Sequence, residues 1–238
     1  MLIDELHKYL FDGQPHSLAE PMRTWLESSR KYSAFVTTFR NKIRKKLRVT
    51  QDQETLDDLR LELETAYLLL QERALSLVYE PEQSKQVRNP DFAVTYTTSL
   101  TFMIEVTRLR GISSLDKSSL LESERLSDAI CSKLGQLLPG RSNILIVGVE
   151  AFSLTQSDLQ SIMLRVQQRA ERNDSAFWQR YGFRDRADFF RHYQRLSEVL
   201  VRGSQVQAKE LRVIWVNSQA KHPLPGKVRT VLYRSLMV

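Results

Sequence analysis

Cysteine, glycine and proline are all scarce in this chain of 238 residues, which has one Cys, 8 Gly and 7 Pro. The lone thiol, Cys131, has no second cysteine with which to form an internal disulfide, and its neighbours Ala129 and Ile130 predict a small residue on a helix rather than a reactive group. So few glycines and prolines disfavour long flexible linkers. The scarcity of cysteine favours a reducing, cytoplasmic location.

Long apolar runs are absent as well. The longest apolar stretch, 143–150, is far shorter than the roughly 20 residues that a membrane-spanning helix needs. The acids Asp4 and Glu5 stand in the N-terminal segment where a secretory signal would carry a basic region, so we predict neither a signal peptide nor a membrane partner. The histidines lack ligand spacing and no GxxxxGK loop occurs, which disfavours a structural zinc site and a P-loop protein.

Positive charge is in excess, because 35 Lys and Arg face 28 Asp and Glu and leave a net charge of +7. This excess permits attraction to phosphate backbones without establishing it. The densest basic run lies on a helix predicted over about 22–47, where Arg40, Arg44 and Arg48 stand four residues apart and share one side. The two interpretations are a phosphate-contacting surface and a solvated face whose counter-charges come from elsewhere in the fold.

A second group of arginines lies on a helix predicted over about 185–201. Arg184, Arg191 and Arg195 fall in one stripe at spacings of seven and four, and arginine is favoured for bidentate phosphate recognition. The alternative is that interspersed acids neutralise this stripe within the helix. Aromatic residues between 177 and 190 are interpreted as a satellite core rather than a base-stacking platform.

The remaining pattern alternates helices and strands, which predicts an α/β protein. Apolar residues at helical spacing predict helices over about 54–75 and 119–138, and a third that begins near Thr155, where Asp158 completes a variant of the capping box. The predicted strands cover 75–79, 89–96, 101–109, 144–149 and 211–217.

One predicted strand carries a carboxylate that is out of place. Side chains alternate along a strand, so Ile104 and Val106 lie on one apolar face of the 101–109 strand while Glu105 points the other way. Desolvating such a carboxylate costs several kcal/mol unless it is paired or holds a cation. Asp91 begins the preceding strand, and pairing of the two strands as a hairpin would bring both carboxylates to one edge of the sheet.

Two adjacent carboxylates repel each other, and a divalent cation is the usual means of holding them together. Oxygen ligands suit Mg²⁺ or Mn²⁺, which can activate a water and neutralise the charge that develops on a phosphate. The alternative is that both acids are structural, with Glu105 in an ion pair with a residue such as Arg108 or Arg141.

The order of these elements carries a resemblance to a known family. A helix, three strands with Pro90-Asp91 on the second and Glu105-x-Thr107 on the third, a helix and an apolar strand resemble the core of the PD-(D/E)XK nuclease superfamily over roughly 54–150. This resemblance implies a restriction-endonuclease-like core, in which helices flank a central mixed sheet. It divides the chain into a basic helical N-terminal extension over 1–50 and a restriction-endonuclease-like domain over 51–238.

The resemblance also implies a set of metal ligands for Mg²⁺ or Mn²⁺. Asp91 and Glu105 would be the metal-binding acids, and Val106 would contribute its backbone carbonyl. In some members an acid of the preceding helix joins the site. Glu62 is a better candidate for this position than Glu64, because Glu62 borders the apolar face of its helix and Glu64 points farther away.

The sequence departs from the family at Thr107, where the pattern has a lysine. Threonine has no charge with which to orient a water or stabilise the transition state. Variants of the superfamily recruit this group from elsewhere, and Lys117 and Lys133, in or near the following helix, are the candidates here. Nothing in the sequence selects between them.

The function that the resemblance implies is metal-dependent hydrolysis of phosphodiester bonds, with DNA as the favoured nucleic-acid partner. One alternative is a catalytically degenerate protein of the same fold that binds nucleic acid or a protein. Another is a structural protein whose carboxylates form buried ion pairs. The oligomeric state stays open, although nucleases that cut both strands commonly act as homodimers.

Overall fold

The computed structural model describes residues 2–50, 52–81, 89–110, 119–149, 154–172, 174–203 and 211–236. In this part of the chain six strands form one mixed sheet flanked by helices, which confirms the predicted α/β class. None of the described helices is both long and apolar enough to cross a bilayer. The helices are α1 (Ile3–Phe11), α2 (Ala19–Ser28), α3 (Arg30–Val49), α4 (Gln53–Gln71), α5 (Ser119–Leu134), α6 (Gln156–Glu171), α7 (Ser175–Arg180), α8 (Arg186–Tyr193) and α9 (Gly226–Leu236). The strands are β1 (Leu75–Tyr79), β2 (Phe92–Tyr96), β3 (Leu100–Arg108), β4 (Asn143–Val149), β5 (Leu196–Gly203) and β6 (Leu211–Val216).

The spatial order of the strands follows their order in the chain, from β1 at one edge to β6 at the other. β1, β2 and β3 are antiparallel neighbours, β3, β4 and β5 run parallel, and β6 returns antiparallel to β5. Parallel neighbours need a crossover connection. α5 lies in the first crossover, and α6, α7 and α8 lie in the second.

Separate hydrophobic cores cover the two faces of the sheet. Helices α1 to α4 and α9 pack on the face that carries Phe102, Ile104 and Val106. Helices α5 to α8 pack on the opposite face, against Leu145 and Val147. The alternation predicted for β3 is thereby confirmed.

The aromatic residues in and between α7 and α8 belong to the second of these cores. Phe177, Phe183, Phe189 and Tyr193 are all buried there, which confirms that this region is a satellite core. Cys131 is buried in the same core, and burial raises the pKa of its thiol to about 12. The thiol is therefore protonated at neutral pH, as expected for a packing residue.

The helix predicted over 185–201 is wrong in its second half. α8 ends at Tyr193, and β5 begins at Leu196. Leu196 continues the helical spacing of Tyr193, but every residue of β5 is buried, and a strand covered on both faces lacks the two-residue alternation that would distinguish it. The arginines therefore do not form one helical stripe, because Arg184 precedes α8 and Arg195 follows it.

The helix predicted over 22–47 is divided in two. α2 ends at Ser28, the backbone of Ser29 is extended, and the Ser29 hydroxyl caps α3 by accepting a hydrogen bond from the N–H of Tyr32. The helices before residue 50 share one hydrophobic core with α4 and the sheet.

Side chains bind the backbone at both outer edges of the sheet. At β1, the ammonium group of Lys31 donates to the carbonyl of Leu75 at 3.1 Å. At β6, the amide of Gln156 donates to the carbonyl of Ile214 and accepts from its N–H at 3.1 Å. One side chain therefore satisfies both outward backbone groups of Ile214, as a neighbouring strand would.

Candidate functional site

A cavity of about 330 Å³ lies beside the carboxyl-terminal half of β3, where β3 extends past the start of β2. Side chains from α3, α4 and α5 reach it, and the residue before β2 adds another. Its wall is almost entirely polar, with four acids and four bases. The lining residues are Lys46, Asp58, Glu62, Asp91, Glu105, Val106, Thr107, Arg108, Arg110 and Lys133.

Asp91 and Glu105 meet at this edge of the sheet. Phe92 is paired with Ile104 in the antiparallel register, so the next residue outward, Asp91, stands opposite Glu105. The carboxylate of Asp91 accepts a hydrogen bond from the N–H of Val106 at 2.7 Å. Since the N–H and C=O of a strand residue point to the same side, the Val106 carbonyl is directed to this edge as well.

Lys133 is the lysine that reaches the acids. Its ammonium nitrogen lies 2.7 Å from Oε1 of Glu105, and the two side chains are only 16% and 6% exposed. Lys133 is in the last turn of α5, whereas Lys117 lies outside the described residues. Thr107 lines the same cavity with an uncharged hydroxyl.

The described ion pair of Glu105 is with Lys133, whereas the alternative interpretation named Arg108 or Arg141 as examples of a partner. The buried guanidinium of Arg108 binds the carboxylates of Glu54 and Asp58, both on α4. Asp58 also holds Arg110, so these four residues neutralise one another beside the cavity.

Glu62 lies in the same cavity, but a second lysine binds it. The ammonium nitrogen of Lys46 is 2.7 Å from Oε1 of Glu62 and 3.1 Å from Oε2, and it also lies 2.8 Å from a carboxylate oxygen of Glu80. Lys46 was not predicted as a site residue, because it belongs to the basic run on α3. Glu64 points away, as predicted, and pairs with Arg202 on β5.

The carboxyl group of Asp91 has a pKa well above its ordinary value. Burial is the main cause, and the nearby charges of Glu62 and Glu105 raise the pKa further. The hydrogen bond from Val106 and the charge of Lys46 act in the opposite direction without cancelling these effects. Asp91 therefore keeps its proton to a higher pH than an ordinary aspartate does.

Replacing Asp91 with asparagine is expected to stabilise the metal-free protein at pH 7, because burial and the charges of Glu62 and Glu105 disfavour the ionised carboxyl group in the folded state. The unfolded chain ionises this carboxyl near pH 4, whereas folding holds it protonated to a higher pH. The gain should thus be complete above the folded-state pKa and vanish as the pH falls below about 4. Urea unfolding of the wild type and Asp91→Asn at pH 7 and pH 4, in the presence of a chelator, measures this difference in the free energy of unfolding.

Asp12→Asn provides a control of opposite sign, because the Asp12 carboxylate binds Arg44 and Arg48 and loses that attraction on replacement. A stability of Asp91→Asn below that of the wild type at pH 7 would contradict the prediction.

The acids fit a divalent cation in part. Asp91 and Glu105 offer hard oxygen ligands, and a buried carboxylate, Glu105, beside a half-buried one, Asp91, forms the kind of repelling pair that a cation stabilises. Glu62 is bound by Lys46 instead. Among the described residues, no three Asp, Glu, His or Cys side chains converge closely enough to hold a metal ion by themselves.

Two of the three arginines predicted on α3 have a counter-charge within the fold. Arg44 and Arg48 both bind the carboxylate of Asp12. The guanidinium of Arg40 donates to the carbonyl of Thr37 in its own helix. Arg44 and Arg48 therefore fit the second interpretation, a solvated helix face whose counter-charges come from elsewhere in the fold.

The arginines around α8 are likewise near an acid. Arg184 and Arg191 lie 3.6 and 3.4 Å from the carboxylate of Asp188, and Arg195 donates to the carbonyl of Leu137. Local neutralisation accounts for two of these three residues. Contact of either group with phosphates stays a prediction.

No protein-family model, no curated protein and no solved structure matches this chain.

Proposed function

We propose that this chain is a divergent nuclease of the PD-(D/E)XK type that hydrolyses phosphodiester bonds in DNA, in the cytoplasm, with a divalent metal. The observation that carries the proposal is the meeting of Asp91, Glu105 and Lys133 in one cavity. Two acids at the open end of a hairpin and a lysine from the following helix are the groups that this chemistry needs. The succession of α4, three antiparallel strands, α5 and a parallel β4 supports the restriction-endonuclease-like core.

Each residue has a role in this mechanism. Asp91, Glu105 and the carbonyl of Val106 would hold Mg²⁺ or Mn²⁺, which when bound supplies Lewis-acid activation of a water and of the scissile phosphate. The N–H of Val106 fixes the orientation of the Asp91 carboxylate. Lys133 holds Glu105 in place and contributes the positive charge that Thr107 cannot provide, where charge accumulates on the phosphate.

The proposal is tested by Mg²⁺ and Mn²⁺ titration calorimetry together with plasmid cleavage, on the wild type, Asp91→Ala and Glu105→Ala. We expect the wild type to bind and cleave and both variants to lose both properties. Glu124→Gln, an exposed acid on α5, is the control and should behave as the wild type. If the wild type binds no metal and cleaves nothing, the two acids are structural and the proposal is wrong.

A catalytically degenerate protein of the same fold is the second candidate. It is favoured by Thr107 at the position of the family lysine, and by the two lysines that already neutralise Glu62 and Glu105. Metal binding and DNA binding without cleavage in the same experiment would select it.

A further inference from the structure

Lys46 has no role in the mechanism proposed above, yet its ammonium group binds two acids. Its ammonium group has three N–H donors, and three carboxylate oxygens surround it: both oxygens of Glu62 and one of Glu80. The aromatic ring of Tyr79 lies beneath it, with the nitrogen 4.9 Å from the ring centroid. The Lys46 side chain is 30% exposed and the Glu62 side chain 12%.

The ammonium group of Lys46 occupies the position among these acids that a metal ion could take. The ammonium group binds both oxygens of one carboxylate and bridges to a second carboxylate, as a bound metal ion would. Nucleases with two metal ions hold them about 3.5–4 Å apart between shared acids. Here the acids are divided instead: Glu62 and Glu80 face Lys46, while Glu105 faces Lys133.

We infer that Lys46 is a built-in cation of the site, which takes Glu62 out of the metal ligands and leaves one divalent ion to be held at Asp91 and Glu105. The inference rests on the proposed function. It makes Lys46 a positioning residue, because Lys46 acts through Glu62 and does not touch the reacting phosphate.

The inference also connects two parts of the chain. Lys46 belongs to α3, within the segment 1–50, whereas its partner Glu62 lies on α4 and Asp91 precedes β2. Lys46 is close enough for its charge to act on Asp91. The N-terminal segment thus contributes to the charge balance of the cavity itself, and the relevant experiments need the full chain.

The test is Mn²⁺ titration calorimetry on the full chain, with wild type, Lys46→Met, Glu62→Gln and the double variant. If Lys46 occupies Glu62, Glu62→Gln should leave the affinity of the wild type unchanged within about threefold. Lys46→Met should release Glu62 and strengthen Mn²⁺ binding by about tenfold or add a second ion, a size typical of changes around metal ligands. The double variant should lose this gain, because the released carboxylate is gone.

Lys42→Met is the matched control. Lys42 lies one turn earlier on α3 and is also partly buried, but its ammonium group donates to the backbone carbonyls of Tyr79 and Glu80 rather than to an acid. Its replacement should leave the affinity and number of Mn²⁺ ions as in the wild type. Lys46→Arg, which keeps a cation beside Glu62, should also bind as the wild type does.

Two results would overturn the inference while the proposed function stands: a wild type that binds and cleaves but loses about tenfold or more of its affinity in Glu62→Gln, or a Lys46→Met that binds no better than the wild type. A wild type that binds no Mn²⁺ while Lys46→Met does bind it would overturn the proposed function and, with it, the ion inferred at Asp91 and Glu105, and would show only that Lys46 competes with a cation at Glu62. Binding by neither would overturn both. If Lys46→Met does not fold, as judged by circular dichroism, the Glu62→Gln titration decides alone.

Discussion

Replacing Lys133 with methionine is expected to slow plasmid cleavage by about 10²–10³-fold, the usual loss when one charge that stabilises a transition state is removed. Lys133 is the described lysine that contacts Glu105, and Thr107 has no charge to take its place. Methionine keeps the length and the apolar stem of the side chain, so the change removes mainly the ammonium group. Lys133 is itself a cation on Glu105, so its removal should not weaken Mn²⁺ binding while the rate falls.

Single-turnover cleavage at saturating Mg²⁺ isolates this effect from binding. Lys227→Met, an exposed lysine on α9, is the control and should cleave at the wild-type rate. Lys133→Ala leaves room for a small amine, and n-propylamine should restore part of its activity. Cleavage by Lys133→Met at the wild-type rate would show that the ion pair with Glu105 is structural only.

The largest expected loss of stability follows from breaking the pair of Glu64 and Arg202. Arg202 is fully buried on β5, Glu64 is 4% exposed on α4, and the guanidinium lies 3.1 Å from the carboxylate. Its Nε and Nη1 have no hydrogen-bond partner among the described residues. Glu64→Leu should therefore lower the free energy of unfolding by about 3–5 kcal/mol, because it leaves a buried charge without its counter-charge.

Urea unfolding of both single variants and the double variant measures this loss. Glu64→Leu combined with Arg202→Met should recover most of the stability, since two apolar side chains need no counter-charge. Arg234→Met is a control, because the side chain of Arg234 is 65% exposed in its pair with Glu72 and such a pair contributes about 0–1 kcal/mol. A loss below 1 kcal/mol in both buried single variants would contradict the prediction.

The alternation of β3 explains why the acidic edge was predictable from the sequence. A two-residue period fixes the face of Glu105, and a hairpin brings the start of β2 opposite the end of β3. Lys133 was one of two candidate lysines, because helical spacing shows which residues share a face but not how a helix lies on the sheet. The contact between Lys133 and Glu105 depends on how α5 packs against the sheet, which the sequence pattern does not show.

Lys46 and β5 were not predictable in the same way. A run of basic residues predicts a solvent-exposed surface rather than a site. The only indication of Lys46 in the sequence was indirect, because Glu62 beside the apolar face of its helix needs a partner. In β5, Glu198 and Arg202 interrupt the apolar run and suggest an exposed helix. Both form ion pairs with residues distant in sequence, Arg229 on α9 and Glu64 on α4, and a local pattern contains no information on such pairs.

The two hydrogen bonds from the amide of Gln156, on α6, to Ile214 of β6 affect how two copies of this chain can associate. A strand that exposes its backbone invites a second molecule to extend the sheet, which is a common route to dimers and to aggregates. Here the N–H and C=O of Ile214 are already bound by a side chain of the same molecule, so an incoming strand would first have to displace it. If the chain forms the homodimer that the proposed function allows, the two copies should consequently meet through helices rather than through a continuous sheet across this edge.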